Sequence, residues 1–249
     1  MITADLIRDL IRKQEADRPR SQQTAIGPSD LSSPCARKLG YQMLGVEKVT
    51  TSDVSLQAWV GTAIHKSLEH AAADDDDWMT EVPVGVDLGG GLVLRGTLDA
   101  YHKPTRSVID YKSTGPSAHQ KYRRQSPDNY LTQVAIYGLL AVLSGRYPVE
   151  HTALVYVPRN ADLADIHVDT HPWDQDRADA AIKRLEALHA AAAAGPTILP
   201  LLPTADDCRY CGWWMPGSDR PELHCGGHNP TDSTDQPAAW EPQEEKAAS

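Results

Sequence analysis

The stretch Leu94–Thr114 decides the fold of this chain, and it reads L-R-G-T-L-D-A-Y-H-K-P-T-R-S-V-I-D-Y-K-S-T. Two short strand-like runs flank the turn Lys103–Arg106, which is a pattern typical of a β-hairpin. Because strand side chains alternate between faces, Asp110 and Lys112 emerge on one side and Tyr111 on the other. The apolar residues before Asp110 indicate a strand buried on both faces. An aspartate and a lysine at the mouth of such a strand are costly to desolvate, and a metal ion is their natural partner.

Composition and missing motifs narrow the class of protein. The formal net charge of -10 argues against a protein coated in positive potential, but it allows nucleic-acid binding through a local basic groove. The sequence has no GxxxxGK[ST] loop and no G-x-S-x-G elbow, which counts against an ATP-driven motor and a serine hydrolase. No apolar run is long enough to cross a bilayer, and the N-terminus lacks the features of a signal peptide. We therefore predict a soluble cytoplasmic protein without membrane contact.

Helical periodicity is clearest before the hairpin. Apolar residues from Leu6 to Ile11 form a stripe that predicts a helix docked on the body of the protein. Ser33 and Pro34 predict the start of a short helix that carries Cys35. A longer helix, from about residue 52 to 73, carries His65. The strand that follows contains Pro83, which marks it as an edge strand.

The second half of the chain alternates between helix and strand signals. A polar and basic segment follows Lys112, and it suits either phosphate contact and base stacking or an ordinary solvated loop; its key residues are His119, Lys121, Tyr122, Arg123 and Arg124. Residues 129–140 predict a helix on which Gln133 and Tyr137 share a face. Two paired strands are expected at 151–158 and 165–170, and a helix at 173–194.

The chain contains four cysteines, Cys35, Cys208, Cys211 and Cys225. In a reducing compartment, four thiols with one Cys-x-x-Cys pair are better explained as metal ligands than as two disulfides. One arrangement uses the last three with His228 around Zn²⁺ and leaves Cys35 as a small core residue. The spacing alone does not exclude an arrangement that uses all four thiols.

The ordered motifs resemble those of the PD-(D/E)XK nucleases, specifically the RecB-like branch. The resemblance rests on four motifs. They are Gly-x-x-x-His from Gly61 to His65 on the predicted helix, Gly-x-x-Asp from Gly96 to Asp99, Asp-x-Lys from Asp110 to Lys112, and Gln-x-x-x-Tyr from Gln133 to Tyr137. It implies an α/β fold, with a restriction-endonuclease-like central mixed β-sheet flanked by helices. The cysteine pattern is similar to that of the phage and CRISPR-associated members that carry an iron–sulfur cluster. That similarity implies a [4Fe–4S] cluster, which joins a C-terminal Cys-rich segment to the N-terminal Cys helix; its ligands are Cys35, Cys208, Cys211 and Cys225.

The same resemblance implies a metal-dependent DNA exonuclease. Mg²⁺ or Mn²⁺ is expected on His65, Asp99, Asp110 and the Tyr111 carbonyl, and Lys112 acts beside the attacking water. Asp99, Asp110 and Lys112 are the expected catalytic residues, Glu69 is a candidate to orient His65, and DNA contacts are expected from Gln133, Tyr137, Lys121, Arg123 and Arg124. The substrate is expected to be single-stranded DNA or duplex ends in phage or prokaryotic recombination, repair or CRISPR-type processing, where an integrase-like protein is a possible partner. The alternative is a non-catalytic nucleic-acid-binding or assembly module, stabilised by a zinc or iron–sulfur site.

We divide the chain into four parts on this basis. Residues 1–28 form an N-terminal helix and linker, and 29–205 form the nuclease core. Residues 206–228 form the cysteine-rich segment that Cys35 completes, and the polar, Pro-rich residues 229–249 form a disordered tail.

Overall fold

The protein is built around one five-stranded mixed sheet with helices on both faces. The computed structural model describes residues 2–16, 26–49, 54–145, 147–205, 208 and 211–227. The strands are β1 Trp78–Asp87, β2 Val93–His102, β3 Ser107–Thr114, β4 His151–Pro158 and β5 His167–Pro172. The helices are α1 Ala4–Ala16, α2 Pro28–Leu31, α3 Ala36–Met43, α4 Leu56–Ala72, α5 Pro116–Tyr122, α6 Asp128–Leu143 and α7 Gln175–Ala192, with 3₁₀ turns at Leu163–Asp165 and Pro196–Leu201.

The strand order follows the chain, from β1 at one edge to β5 at the other. Strands β1, β2 and β3 are antiparallel neighbours, β3 and β4 are parallel, and β4 and β5 are antiparallel. The parallel step needs a long crossover, which α5 and α6 supply. The predicted α/β class with a mixed sheet is confirmed, and Pro83 lies on an edge strand as expected.

Strands β2 and β3 separate a short distance from their turn, and we call this separation the fork, because it positions the site. Strands β2 and β3 pair only from the turn to the pair Ala100–Ile109. Beyond that pair β2 continues alone with β1, whereas β3 continues to Thr114 beside β4. One side of β3 therefore loses its strand partner from residue 110 onward, and its backbone groups there need other partners.

The core lies on both faces of the sheet. Helix α6 is buried from Gln133 to Ala141 and packs against β1, β3, β4 and α7, because its apolar residues surround the helix instead of forming a stripe. On the other face, α4 covers a smaller cluster that includes Ala100, Ile109 and Tyr111. The two faces of β3 are thus both covered, as its apolar sequence predicts.

A polar network fastens the far edge of the sheet to the start of α6. The Tyr156 hydroxyl donates to Ser126 Oγ at 2.7 Å, and Ser126 in turn donates to Asp169 on β5. His171 Nε2 lies 2.9 Å from the other oxygen of Asp169. Burial alone would raise the pKa of Asp169, but the hydrogen bonds from Ser126 and His171 outweigh it and hold that pKa below its usual value.

Several local expectations are wrong or fall outside the described residues. Helix α1 exists but does not dock through its apolar stripe, since Leu6 and Leu10 are 55% and 66% exposed and no residue of α1 is buried. Cys35, not Ser33, caps α3. The basic segment after β3 is the helix α5 instead of a loop, and Pro28, expected in the linker, begins α2. Most of that linker, His228 and the expected tail lie outside the described residues. Within those residues, no helix is long and apolar enough to cross a membrane.

Candidate active site

Four elements bring six of the predicted residues together at the fork. Helix α4 supplies His65, β2 supplies Asp99, β3 supplies residues 110–112 and α6 supplies Gln133. The fork leaves a gap beside the second half of β3, and these side chains occupy it. The predicted residues therefore lie close together although they are up to 68 positions apart in the sequence.

Asp99 and His65 satisfy the exposed backbone of β3. The Tyr111 N–H donates to Asp99 Oδ2 at 2.8 Å, and His65 Nε2 lies 3.0 Å from the Tyr111 carbonyl oxygen. Asp99 Oδ1 is 3.2 Å from His65 Nδ1, so the two side chains also hold each other. The β3 backbone groups that have no partner on β2 are thus bound by one carboxylate and one imidazole.

The surroundings of His65 favour its charged form. Both ring nitrogens face oxygen acceptors, and both can donate only when the ring is an imidazolium. Burial alone would lower the pKa of His65, but the hydrogen bond that His65 donates to Asp99 and the charges of Asp99 and Asp110 raise it above its usual value. The acidic surroundings that favour the imidazolium would equally favour a bound metal ion.

Asp110 and Lys112 form a buried ion pair on the α6 side. Lys112 Nζ lies 2.7 Å from Asp110 Oδ2 and donates to Gln133 Oε1 at 3.0 Å, while Gln133 Nε2 donates to Asp110 Oδ1 at 2.9 Å. The ammonium also stands 4.6 Å from the centre of the Tyr130 ring. Gln133 therefore fixes both charged groups at once, and Tyr130 limits where the lysine can move.

Burial is unfavourable for the Asp110 carboxylate. The residue is 3% exposed, and burial, offset in part by Lys112, raises the pKa of its carboxyl group. Its Oδ2 atom accepts no hydrogen bond of good geometry, although Lys112 is close. A buried carboxylate oxygen without a hydrogen bond costs free energy, so this atom can accept a further hydrogen bond or bind a metal ion.

The donor set fits a hard divalent cation. No group of three or more His, Cys, Asp or Glu side chains among the described residues is arranged to hold a metal ion, because these side chains bind the backbone, Lys112 and Gln133 instead. One observation nevertheless fits Mg²⁺ or Mn²⁺: the buried Asp110 Oδ2 atom lacks a hydrogen bond. Carboxylates, a carbonyl and one imidazole suit these ions chemically.

The predicted DNA contacts fall into two groups. Gln133 and Tyr137 are 7% and 5% exposed; Gln133 lies in the site, whereas Tyr137 packs in the main core beside Gly96. Lys121, Arg123 and Arg124 are exposed and line two cavities of about 540 and 480 Å³ on either side of α5. DNA contact by any of these five residues stays a prediction.

Sequence analysis missed Tyr130 as a member of the site. It lies three residues before Gln133 on α6 and therefore on the same helical face. Its ring stands beside the Lys112 ammonium and contacts the ring of Tyr122 edge-on. The spacing in the sequence was sufficient to find it, once α6 was known to cover Asp110 and Lys112.

The cysteines lie where α3 meets the C-terminal segment. None of the four forms a disulfide, and burial, together with the nearby Cys225 and Cys35 sulfurs, raises the pKa of Cys211. Cys35 Sγ caps α3 by accepting the Lys38 N–H at 3.4 Å. The Arg37 N–H donates to the Pro203 carbonyl oxygen at 3.0 Å, so the two ends of the chain approach each other here.

Contacts other than the cysteines also fasten this junction. Tyr41 on α3 stacks on Trp213 and donates its hydroxyl proton to the Pro221 carbonyl, and Trp213 Nε1 donates to the Val46 carbonyl at 2.8 Å. Arg37 donates to the carbonyls of Pro200 and Leu202. These contacts join the N-terminal Cys helix to the C-terminal segment, as predicted, whereas the cluster expected between them stays a prediction.

Comparisons with known proteins identify the superfamily and the fold of this chain. The sequence pattern of the PD-(D/E)XK nuclease superfamily matches residues 71–215, which include Asp99, Asp110, Lys112 and Gln133. The solved structure of SSO0001 is 18% identical, with a TM-score of 0.59 over 86% of this chain and 95% of that one. The alkaline exonuclease LHK-Exo from Laribacter hongkongensis is 13% identical, with a TM-score of 0.52 over 73% of this chain and 94% of that one. A second structure of LHK-Exo, in complex with dAMP, is similar at a TM-score of 0.51, with 14% identity over 70% of this chain and 90% of that one.

No curated protein matches the sequence. The structural likenesses, all below 20% identity, show the fold alone. The superfamily pattern, however, covers more than half of the 249 residues and includes the forked hairpin on which the site is built. We conclude that this protein belongs to the PD-(D/E)XK nuclease superfamily.

Proposed function

We propose that this protein is a metal-dependent DNA exonuclease that hydrolyses phosphodiester bonds. The observation that carries the proposal is the fork, where His65, Asp99 and Asp110 gather around the backbone of β3 with Lys112 beside them. This is an acidic site with one fixed ammonium group at the end of a buried strand. Such a site binds a divalent cation and stabilises negative charge that develops next to it.

Each residue has a distinct role in this proposal. Asp99, Asp110, His65 and the Tyr111 carbonyl would hold Mg²⁺ or Mn²⁺, and the ion would supply a water molecule of lowered pKa and a positive charge beside the phosphate. Lys112 keeps its ammonium near the reacting phosphate, because Gln133 and the Tyr130 ring restrict its position. Gln133 thereby positions both Asp110 and Lys112.

The substrate proposal is narrower than the family membership. LHK-Exo is an alkaline exonuclease, and its structure in complex with dAMP holds a nucleotide. We extend DNA as substrate, and removal of nucleotides from single strands or duplex ends, to this chain as part of the proposal. Roles in phage or prokaryotic recombination, repair or CRISPR-type processing, and an integrase-like protein partner, stay predictions.

Cleavage assays with matched variants test the proposal. We expect the wild-type protein to degrade end-labelled single- or double-stranded DNA with Mn²⁺ or Mg²⁺ and to be inactive with a chelator. Asp110→Ala and Lys112→Ala are expected to abolish cleavage while the variants stay folded, and the exposed-site controls Asp74→Ala and Lys183→Ala keep it. Full activity of either site variant would end the assignment, and DNA binding by the wild-type protein without cleavage would favour the non-catalytic alternative.

We also propose that a [4Fe–4S] cluster joins Cys35, Cys208, Cys211 and Cys225 in a structural role. The support is that none of the four cysteines forms a disulfide and that Cys35 and Cys225 lie close enough to influence Cys211. An anaerobic preparation is expected to be brown and to contain iron and sulfide. Zinc without iron in a colourless preparation would instead favour the Zn²⁺ site of the last three cysteines with His228.

A further inference from the structure

A buried histidine next to the candidate active site lacks a partner. His119 on α5 is 8% exposed, and its Nδ1 lies 3.2 Å from the Thr114 hydroxyl oxygen. Its Nε2 has no hydrogen-bond partner, and the only other buried side-chain atom in the described residues with this property is Asp110 Oδ2. Unsatisfied buried polar atoms are rare in folded proteins, so an external partner for Nε2 is the simplest explanation.

The contact with Thr114 is compatible with a donor at Nε2. When the Thr114 hydroxyl donates to Nδ1, the neutral ring carries its proton on Nε2, and the charged ring carries protons on both nitrogens. In these two states Nε2 needs an acceptor, whereas in the other neutral tautomer Nδ1 donates to Thr114 and Nε2 is itself an acceptor. Phosphate oxygens are strong acceptors that commonly pair with such N–H groups.

The surroundings of His119 also favour an anion. His119 lines a cavity of about 480 Å³ between α5 and the chain after β4, together with Gln120, Arg123, Arg124 and Asn160. Neither Arg123 nor Arg124 forms an ion pair within the described part of the chain. The carboxylate at this cavity, Asp165, already accepts the Asp162 N–H at 3.1 Å. Two free guanidinium groups and an unpartnered imidazole donor match the charge and geometry of a phosphate group.

The cavity is aligned with the candidate active site. Asp110, Lys112 and Thr114 are alternate residues of β3 and point to one face. Thr114, which holds His119, lies about 7 Å beyond Lys112 along the strand, a distance comparable to the spacing of neighbouring phosphates along an extended single strand. A strand whose reacting phosphate lies at Lys112 can therefore place a neighbouring phosphate at His119.

We infer that the cavity lined by His119, Arg123 and Arg124 is a subsite for a nucleotide phosphate next to the bond that is cut. The inference rests on the proposed nuclease function, because it names a second binding position for the same substrate. The phosphate has two possible sources. It belongs either to an internal phosphodiester of the bound strand or to a released nucleoside monophosphate.

Equilibrium binding without turnover tests the subsite directly. Fluorescence anisotropy in chelator measures the binding of a labelled ten-nucleotide single strand to the wild-type protein and to each variant. His119→Phe, which keeps the ring volume but loses both nitrogens, and the exposed-site variant Arg123→Ala are each expected to weaken binding about tenfold. Lys183→Ala, which removes one exposed charge on α7, is the matched control and is expected to bind within about twofold of the wild-type protein. Thermal denaturation verifies that each variant is folded.

A set of single methylphosphonates, one neutral linkage at a time, identifies an internal phosphate. One position is expected to weaken wild-type binding about tenfold, and the same position to have little further effect in His119→Phe and Arg123→Ala, because the contact is already lost. Competition by dAMP and by inorganic phosphate identifies the second source. Competition with the wild-type protein but not with the variants assigns the subsite to the released nucleotide.

The outcomes separate this inference from the proposed function. Wild-type binding affinity in both folded variants, or equal losses at every methylphosphonate position in all proteins, overturns the subsite even if the protein cleaves DNA. A position-specific effect that depends on His119 supports the subsite even if no cleavage occurs with Mn²⁺, and in that case only the nuclease proposal fails. Because Arg123 is exposed, its variant tests the subsite even if His119→Phe does not fold.

Discussion

Gln133 is the side chain whose replacement tests the geometry of the site most directly. It is 7% exposed, donates to Asp110 Oδ1 and accepts from Lys112 Nζ. Gln133→Met keeps the length and approximate volume of the side chain but removes both hydrogen bonds. We expect the free energy of unfolding to fall and the folded protein to lose most of its cleavage activity.

The size of the effect follows from the burial of the two partners. A hydrogen bond to a charged group contributes about 1.5–3 kcal/mol. The Asp110 side chain is 4% exposed and has no other donor to Oδ1, so the larger value applies, whereas Lys112 at 17% exposure keeps Asp110 and the Tyr130 ring as partners. We therefore expect a total loss of about 3 kcal/mol, which corresponds to a decrease in Tm of about 6–12 °C for a chain of this size.

Urea and thermal denaturation of the metal-free protein measure this loss. The matched control is Gln57→Met on the exposed side of α4, which is expected to change the free energy of unfolding by less than about 0.5 kcal/mol. A loss below about 1 kcal/mol for Gln133→Met would contradict the reasoning. It would mean that Asp110 is not held as a buried, hydrogen-bonded carboxylate.

Three further changes test the packing and the electrostatics of the fold. Gly138→Ala places a Cβ atom 2.5 Å from Trp173 Nε1. We expect urea denaturation to show that the free energy of unfolding falls by about 1–3 kcal/mol, although alanine has the better helix propensity. A more stable variant would contradict this packing. Asp169→Asn removes a carboxylate whose pKa lies below its usual value. The wild-type protein should therefore be the more stable above about pH 4, the pKa of an unfolded aspartate, and the difference should vanish as the pH falls through the folded pKa; a difference that grows in acid would refute the network. Tyr41→Phe removes the hydrogen bond to the Pro221 carbonyl, and we expect the free energy of unfolding to fall by about 1 kcal/mol, with a lower Tm. An unchanged Tm would show that this bond does not hold the C-terminal segment.

Sequence was sufficient for the features that depend on local pattern. The hairpin and the shared face of Asp110 and Lys112 follow from strand alternation, which needs no knowledge of the rest of the chain. The order of the motifs identified the superfamily, because His65, Asp99 and Gln133 occur on elements that the pattern already predicts. Edge position was also predictable, since Pro83 cannot donate to a second strand.

Other features depend on what covers each element, and sequence does not record that. The apolar stripe of α1 predicts a helix with one apolar face but not a partner for it, and in the fold Leu6 and Leu10 are exposed. His119 lies in a basic segment that resembles a solvated loop, yet Thr114 and the surrounding fold bury it. Tyr130 joins the site only because α6 packs across β3. In each case, long-range packing determines the environment of a residue whose local sequence is uninformative.

The fork explains why the site needs these residue types at these positions. Where β2 leaves β3, the Tyr111 N–H needs an acceptor and its carbonyl needs a donor, and Asp99 and His65 supply them. Binding the backbone between Asp110 and Lys112 fixes the direction of both neighbouring side chains, because alternation then sends them to the α6 side. Asp99 thus acts twice, as an acidic group in the site and as the substitute for a missing strand. Replacing Asp99 should therefore weaken the hairpin directly, because the Tyr111 N–H loses its acceptor. Replacing Lys112 leaves that backbone contact in place and should weaken the fold only through the buried Asp110 carboxylate, which loses its ion-pair partner.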